Sequence, residues 1–363
     1  MSYRCGIIGL PNAGKTTIFN ALTAGTAEVA PYPFCTIAPN TGMVPVPDER
    51  LTRLGELLKP EKLTPATIEF VDVAGLIEGA SKGEGLGNQF LAAIREVDLL
   101  VHVVRCFEAE ACPHPLSRVD PVRDVEVVET ELLLADLEIL SRQLLKLEKR
   151  ARVGDKAAVL VHPTLGRVEA GLNQGTWARN LKLTTAEIEN LKDTPLLTMK
   201  PCLFVANLSE AELPGGPYFA ALKKLAGARQ WPLLPILGDL EAELQEFSPE
   251  ERQEFLSGLG LTETGITRLV RESSRLLGLV TFYTIVGPEV WAWSAPAGTT
   301  APRAAGQVHS DMEKGFIRAE VMRFADLDHL GTPTRVREAG LLKVQGRDYL
   351  VADGDILLFR FQR

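Results

Sequence analysis

The stretch CGIIGLPNAGKTTIFN, residues 5–20, decides the fold. CGIIG (5–9) reads as a buried strand and KTTIFNALT (15–23) as a helix. Between them, Gly9-Leu10-Pro11-Asn12-Ala13-Gly14-Lys15-Thr16 fits G-x-x-x-x-G-K-[ST], and the strand–loop–helix setting is the context that a phosphate-binding loop requires. Glycines there let the backbone N–H groups of Asn12, Ala13 and Gly14 close around phosphate oxygens, and the helix N-terminus adds its positive dipole. Lys15 brings a point charge to the outer phosphates, Thr16 a hydroxyl for Mg2+, and Thr17 a hydroxyl for the inner phosphate.

Outward from the loop, strand and helix alternate. ATIEFVDVAG (66–75) and DLLVHVVRCF (98–107) read as strands with helical NQFLAAIREV (88–97) between them. The pattern resumes at CLFVAN (202–207), YFAALKKLAGA (218–228) and WPLLPIL (231–237), which predicts a doubly wound, mostly parallel α/β sheet split by an insertion. Asp72-x-x-Gly75 closes one strand, where this class of site needs a carboxylate on the Mg2+ side (Asp72) and a γ-phosphate-sensing glycine (Gly75). Thr36, in the proline-rich loop around Pro33, is placed to bring a hydroxyl to the metal; a turn residue is the plainer reading.

Leu133, Leu137, Leu140, Leu144 and Leu147 repeat at spacings of 4, 3, 4 and 3, a heptad seam. Breakers at Gly154, Pro163 and Gly166 end it, and Thr184-x-x-Glu187 reads as a capping box opening the return helix. A helical hairpin follows, with a single long core helix as the alternative. The basic cluster Lys146, Lys149, Arg150, Arg152 and Lys156 at its tip suits a solvated face or a partner site. From about residue 279 the texture turns to short strands, with ten Lys and Arg balancing ten Asp and Glu. The expected organisation is 1–125 with 200–278 as the nucleotide domain, 126–199 as the helical insertion and 279–363 as a β-rich module.

A net charge of -8 over 363 residues leaves any nucleic-acid contact local. The sequence shows neither a signal peptide nor an apolar run long enough to span a bilayer, so a cytoplasmic protein without membrane partners is expected. The five cysteines have no C-x-x-C spacing and read as reduced thiols, with Cys5, Cys106 and Cys202 as small core residues.

GLPNAGKTT, YPFCTIAPNTG, FVDVAGLIEGASKGEGLGNQFL, HVVRCF, TELLLADLE, NLSE, AAGQVHSDMEKGFIRAE and DYLVADGDILLFRF together resemble the YchF or Obg-like ATPase family of translation-factor-class P-loop NTPases, nearly end to end. The resemblance implies a G domain, a coiled-coil insertion and a C-terminal β-grasp (TGS) domain. It implies hydrolysis of ATP in preference to GTP, and association with the ribosome. The large subunit with its rRNA is the expected contact, and a monomer the expected state. Two departures stand out. The family's Ser-Ala pair after WPLLPIL is replaced by Leu237-Gly238-Asp239, so base contacts from Leu237 and Gly238 must come from backbone; and E-V-R-A-W reads Glu289-Val290-Trp291-Ala292-Trp293, an aromatic in place of a cation.

Base choice turns on Asn207-Leu208-Ser209-Glu210, where guanine-specific proteins carry N-K-x-D. That aspartate accepts from guanine N1–H and its amine, a match adenine cannot offer. Glu210 is one methylene longer and no longer enforces it. Leu208 keeps only packing on the purine and its backbone, and Asn207 ties the loop back to the phosphate-binding loop. ATP is expected, with GTP tolerated. Catalysis is carried by Lys15, Thr36 and Gly75, but Leu76 stands where many GTPases place a water-orienting glutamine, which predicts slow intrinsic hydrolysis. A rearranged switch, a partner or a potassium ion near Asn12 would supply the missing group. The glycine-rich 75–87 stretch would order on γ-phosphate. A guanine-specific Obg-type GTPase and a non-hydrolysing RNA- or protein-binding scaffold are the competing readings.

Overall fold

The computed structural model describes residues 3–24, 40–73, 86–212 and 215–362. Thr36, Gly75, Leu76, Cys35 and most of the glycine-rich stretch lie outside the described residues. The elements run β1 (Arg4–Ile8), α1 (Lys15–Thr23), β2 (Thr41–Pro45), α2 (Glu49–Leu58), β3 (Lys62–Thr64), β4 (Thr67–Asp72), α3 (Leu86–Arg95) and β5 (Leu99–Arg105). Next come α4 (Pro121–Arg152), α5 (Lys156–Asn173), α6 (Thr185–Asn190), β6 (Cys202–Asn207), α7 (Pro217–Arg229), β7 (Leu233–Ile236), α8 (Gly238–Glu243), α9 (Pro249–Gly258) and α10 (Gly265–Leu276). The remainder is β8 (Leu279–Val286), β9 (Glu289–Pro296), α11 (Ala301–Val308), α12 (Ser310–Lys314), β10 (Phe316–Arg323), α13 (Phe324–Leu330), α14 (Pro333–Glu338), β11 (Lys343–Gln345) and β12 (Asp355–Phe361).

The chain divides into two compact units. The larger comprises Arg4–Gly42 and Phe70–Ile266. Its sheet has the order β2-β4-β1-β5-β6-β7, and β1–β5, β5–β6 and β6–β7 pair in parallel. Strands covered on both faces are mostly apolar, and β5 (LLVHVVR) and β6 (CLFVAN) are buried at every position. Ile8, Leu100, Phe204, Val128, Leu132 and Trp231 share one core, and the carboxyl ends of the strands deliver Gly9, Asp72, Arg105, Asn207 and Leu237 to one edge. Cys5, Cys106 and Cys202 are buried; burial pushes the Cys202 thiol up to about 12.

The insertion differs from its expected layout. The return arm is α5, starting directly after the Gly154 turn (φ 85) with Asp155 accepting from the Ala157 and Ala158 amides, and it runs through Pro163 and Gly166. Proline removes one intrahelical donor, but Pro163 faces solvent, where water satisfies the freed carbonyl, while Leu165, Val168 and Leu172 pack against Leu140. The Thr184–Glu187 capping box is present and opens only the short α6.

The smaller unit comprises Met1–Tyr3, Met43–Glu69 and Thr267–Arg363. Its sheet runs β11-β10-β12-β8-β9-β3, with β3 parallel to β9. Ala301, Ala304 and Ala305 of α11 bring that helix close onto Phe282, Phe316 and Leu357. Asp48 caps α2 through the Arg50 amide and accepts the Tyr283 hydroxyl at 2.5 Å; Arg50 Nη1 donates to Asp353 Oδ2 at 2.6 Å and Arg53 Nε to Asp328 Oδ1 at 2.7 Å. The unit that holds residues 279–363 also takes in Thr267–Gly278 and Met43–Glu69. A three-residue strand has no period to read, so only its pairing reveals it.

Candidate functional site

The loop between β1 and α1 is built on two glycines that no other residue can replace without movement. Gly9 has φ 148, and a Cβ there would lie 2.4 Å from the Val103 carbonyl oxygen. Gly14 has φ 90, and its Cβ would lie 2.1 Å from Asn207 Nδ2. That space belongs to Asn207, which donates to the Ala13 carbonyl at 3.0 Å and accepts from the Gly238 amide at 3.1 Å. One buried side chain at the end of β6 thereby ties the loop after β1 to the loop after β7. It has the structural role expected for it.

Three side chains converge beyond the loop. Lys15 is 7% exposed and donates to the Leu10 carbonyl at 2.9 Å; burial lowers its pKa and the Asp72 carboxylate pushes it back up. The Thr16 hydroxyl donates to Asp72 Oδ2 at 2.8 Å. Asp72 Oδ1 is buried with no hydrogen-bond partner among the described residues. A buried carboxylate oxygen left without a donor is costly unless something else fills that valence. A hard divalent cation with oxygen ligands fits it, because Asp72 and Thr16 offer only oxygen and leave the other positions to phosphate and water. Among the described residues no group of three or more His, Cys, Asp or Glu could hold a metal ion, so Mg2+ would be shared with a phosphate ligand.

The base-side residues divide. Glu210 is exposed. Leu208 is 4% exposed in the main core and donates its amide to the Ile236 carbonyl at 2.8 Å. It therefore leaves little side chain for a purine, a correction to the reading in which it covers the base. The Gly238 amide is held by Asn207 and the Leu237 carbonyl by the Glu241 amide at 2.9 Å, so both backbone groups are committed within the protein. Thr17 is half-buried on α1.

Asn12 sits at φ 62. Its Nδ2 donates to the Pro113 carbonyl at 3.0 Å, and no hydrogen bond of Oδ1 is made among the described residues. Sequence reasoning missed what holds it. Arg105, 2% exposed, donates from Nη1 to the Asn12 carbonyl at 3.4 Å and from Nε to the Phe107 carbonyl at 3.0 Å. His114 accepts the Leu116 amide at Nδ1, which assigns the proton to Nε2, 2.8 Å from Asp124 Oδ2. The polar residues Arg105 and His114 beside strand β5 were the available signal.

A family model described as "50S ribosome-binding GTPase" matches residues 4–136, and one described as "Protein of unknown function (DUF933)" matches residues 279–362. "Ribosome-binding ATPase YchF" of Haemophilus influenzae is 45% identical over 361 residues, covering 99% of each chain. The protein of that name from Bacillus subtilis is 43% identical over 364 residues, covering 99% of this chain and 100% of its own.

This chain belongs to the YchF family.

The solved structure of the Schizosaccharomyces pombe YchF GTPase is 33% identical, covers 99% of this chain and 98% of its own, and superposes with a TM-score of 0.90. The P-loop GTPase-type fold read from residues 5–20 is therefore that of a YchF protein from end to end. No described helix is long and apolar enough to cross a membrane.

Proposed function

We propose that this YchF-family chain is a nucleotide-dependent switch that binds and hydrolyses ATP with Mg2+ and associates with ribosomes. The observation that carries the proposal is the buried Asp72 Oδ1, without a partner among the described residues, beside the Thr16 hydroxyl and the Lys15 ammonium at the mouth of a glycine-built loop. In this reading Lys15 leaves the Leu10 carbonyl for the β- and γ-phosphate oxygens, and the amides of Asn12, Ala13 and Gly14 cradle phosphate. Thr16, Asp72 and Thr36 hold Mg2+, which would supply charge neutralisation at the phosphate oxygens. Gly75 senses the γ-phosphate, and Thr17 reaches the inner one. The assignment of 279–363 to a TGS module, 126–199 to a coiled-coil insertion and the remainder to the G domain belongs to the same proposal.

Ribosome association is supported by the names of the relatives, which cover 99% of this chain. ATP in preference to GTP is supported by Glu210 in place of the aspartate that reads guanine. Low intrinsic turnover follows from Leu76. Potassium is the proposed accelerator, since Asn12 Oδ1 is the side-chain oxygen its hydrogen bonding leaves over; equal rates in sodium and potassium chloride remove that element. The decisive experiment is competition of ATP against GTP for the free chain, repeated with ribosomes. Tighter GTP binding overturns the ATP assignment, and the absence of both co-sedimentation with ribosomes and stimulation by them overturns the ribosomal one.

A further inference from the structure

On one face of the sheet in the smaller unit, three arginines surround one carboxylate. Glu320 on β10 is 8% exposed. Arg360 on β12 grips it with two donors, Nε at 3.0 Å and Nη2 at 3.3 Å. Arg337 on α14 and Arg318 on β10 approach the same carboxylate only to 3.7 Å and 3.9 Å, and their side chains are 67% and 52% exposed. Arg318 and Arg360 are directly opposite cross-strand partners, an arrangement in which like charges destabilise a sheet. One carboxylate cancels one of the three charges. Its position lowers the Glu320 carboxyl below the usual range, chiefly through Arg360, so it stays charged and keeps that guanidinium oriented. Val344 of the edge strand β11, opposite Glu320 in the ladder, is 62% exposed beside them.

We propose that Arg318, Arg337 and Arg360 form a phosphate-binding patch for an RNA backbone, oriented through Glu320. This rests on the proposed ribosome association and gives it a surface. The chain carries a net charge of -8, and residues 279–363 are balanced in charge, so a nucleic-acid contact must be made by a local excess of this kind. Guanidinium forks match phosphate oxygens in pairs, and the two loosely held arginines have donors to offer. Val344 supplies apolar contact for a ribose. An acidic protein segment would satisfy the same charge; the ribosome association proposed above favours an RNA backbone as the occupant.

The test uses the full chain and fluorescein-labelled oligouridine of about 20 nucleotides, with the binding constant followed from 50 to 200 mM KCl. Wild type is compared with Arg318→Ala/Arg337→Ala, which leaves the Arg360–Glu320 pair intact, and with Arg318→Lys/Arg337→Lys. The alanine variant is expected to bind more weakly at every salt concentration, with a slope of log K against log salt shallower by about 1.4, two contacts at about 0.7 each on a single strand. The lysine variant is expected to keep the wild-type slope. Melting temperature and ATP affinity, unchanged in all three, separate loss of the patch from loss of the fold. An unchanged slope in the alanine variant overturns the proposal, as does polyglutamate displacing oligouridine at equal charge. Ribosome co-sedimentation of wild type is read alongside. Its failure, with the oligouridine result intact, counts against the ribosomal reading alone.

Discussion

Two acidic clusters in this molecule use the same chemistry to opposite ends. In the smaller unit, Asp48 and Asp353 are fully engaged: Arg50 bridges them, Tyr283 donates to Asp48, and the Thr281 amide donates to Asp353 at 2.8 Å. Arg50 holds the Asp353 carboxyl below its ordinary range despite partial burial, and burial with the Asp48 carboxylate drives the Tyr283 phenol well above its own. At the phosphate-binding loop, Asp72 receives one hydroxyl and keeps a buried oxygen without a partner among the described residues, and Lys15 is buried against a carbonyl instead of a carboxylate. A saturated network fixes a structure, whereas one with a valence left over waits for a ligand.

The contrast can be broken at several points. The largest effect is expected at the unsaturated cluster: Lys15→Ala or Asp72→Asn should lower ATP turnover by about a hundredfold or more while leaving the fold intact, measured by single-turnover hydrolysis. Should Asp72→Asn hydrolyse ATP at the wild-type rate with the same Mg2+ dependence, its metal role is lost. Next comes the tie between loops. Asn207→Ala leaves the Ala13 carbonyl and the Gly238 amide without their partner, at about 1–3 kcal/mol, and ATP affinity should drop by roughly tenfold by calorimetry.

His102 gives a pH-dependent effect. Burial, and secondarily the Lys15 charge, lowers its pKa to about 3. The unfolded chain takes up that proton near 6.5 and the folded chain resists it until about 3, so stability falls as pH drops through this window, by at most about 1.4 kcal/mol per pH unit. Urea midpoints between pH 6.5 and 5 should fall less steeply in His102→Asn than in wild type; parallel slopes would exclude His102 as the source. The smallest effect belongs to the saturated cluster. Arg50 is 30% exposed at its side chain, so solvent screens it, and Arg50→Ala should cost about 1 kcal/mol in urea unfolding with ATP affinity unchanged.

Much of the site was legible because its chemistry is local. Gly9, Gly14, Lys15 and Thr16 lie within eight residues, and the strands β5 and β6 announce themselves as mostly apolar runs, β5 interrupted at His102 and the two ended by Arg105 and Asn207. Asn207 could be placed because it ends one of those runs. What stayed hidden depends on distant pairing or on solvent. Arg105 looks like the polar end of a strand until the Asn12 carbonyl is found above it. Pro163 reads as a helix end unless its side of the helix is known to face water. Leu208 reads as a cover for a base until its neighbours show it to be core.

The parallel pairing of β3 with β9 has a consequence for biosynthesis. The smaller unit needs Met43–Glu69 and Thr267–Arg363 together, with roughly 200 residues made in between. At about 5–20 residues per second, the early segment emerges some 10–40 s before the strand it must join. During that interval α2 and β3 have no sheet to complete, and Leu63, Tyr283's future partner Asp48 and the Arg50 guanidinium are all open to water or to a chaperone. A fragment cut at residue 279 would likewise be born with β9 as an uncovered edge, so any attempt to express this unit alone should carry residues 43–69 in the same chain.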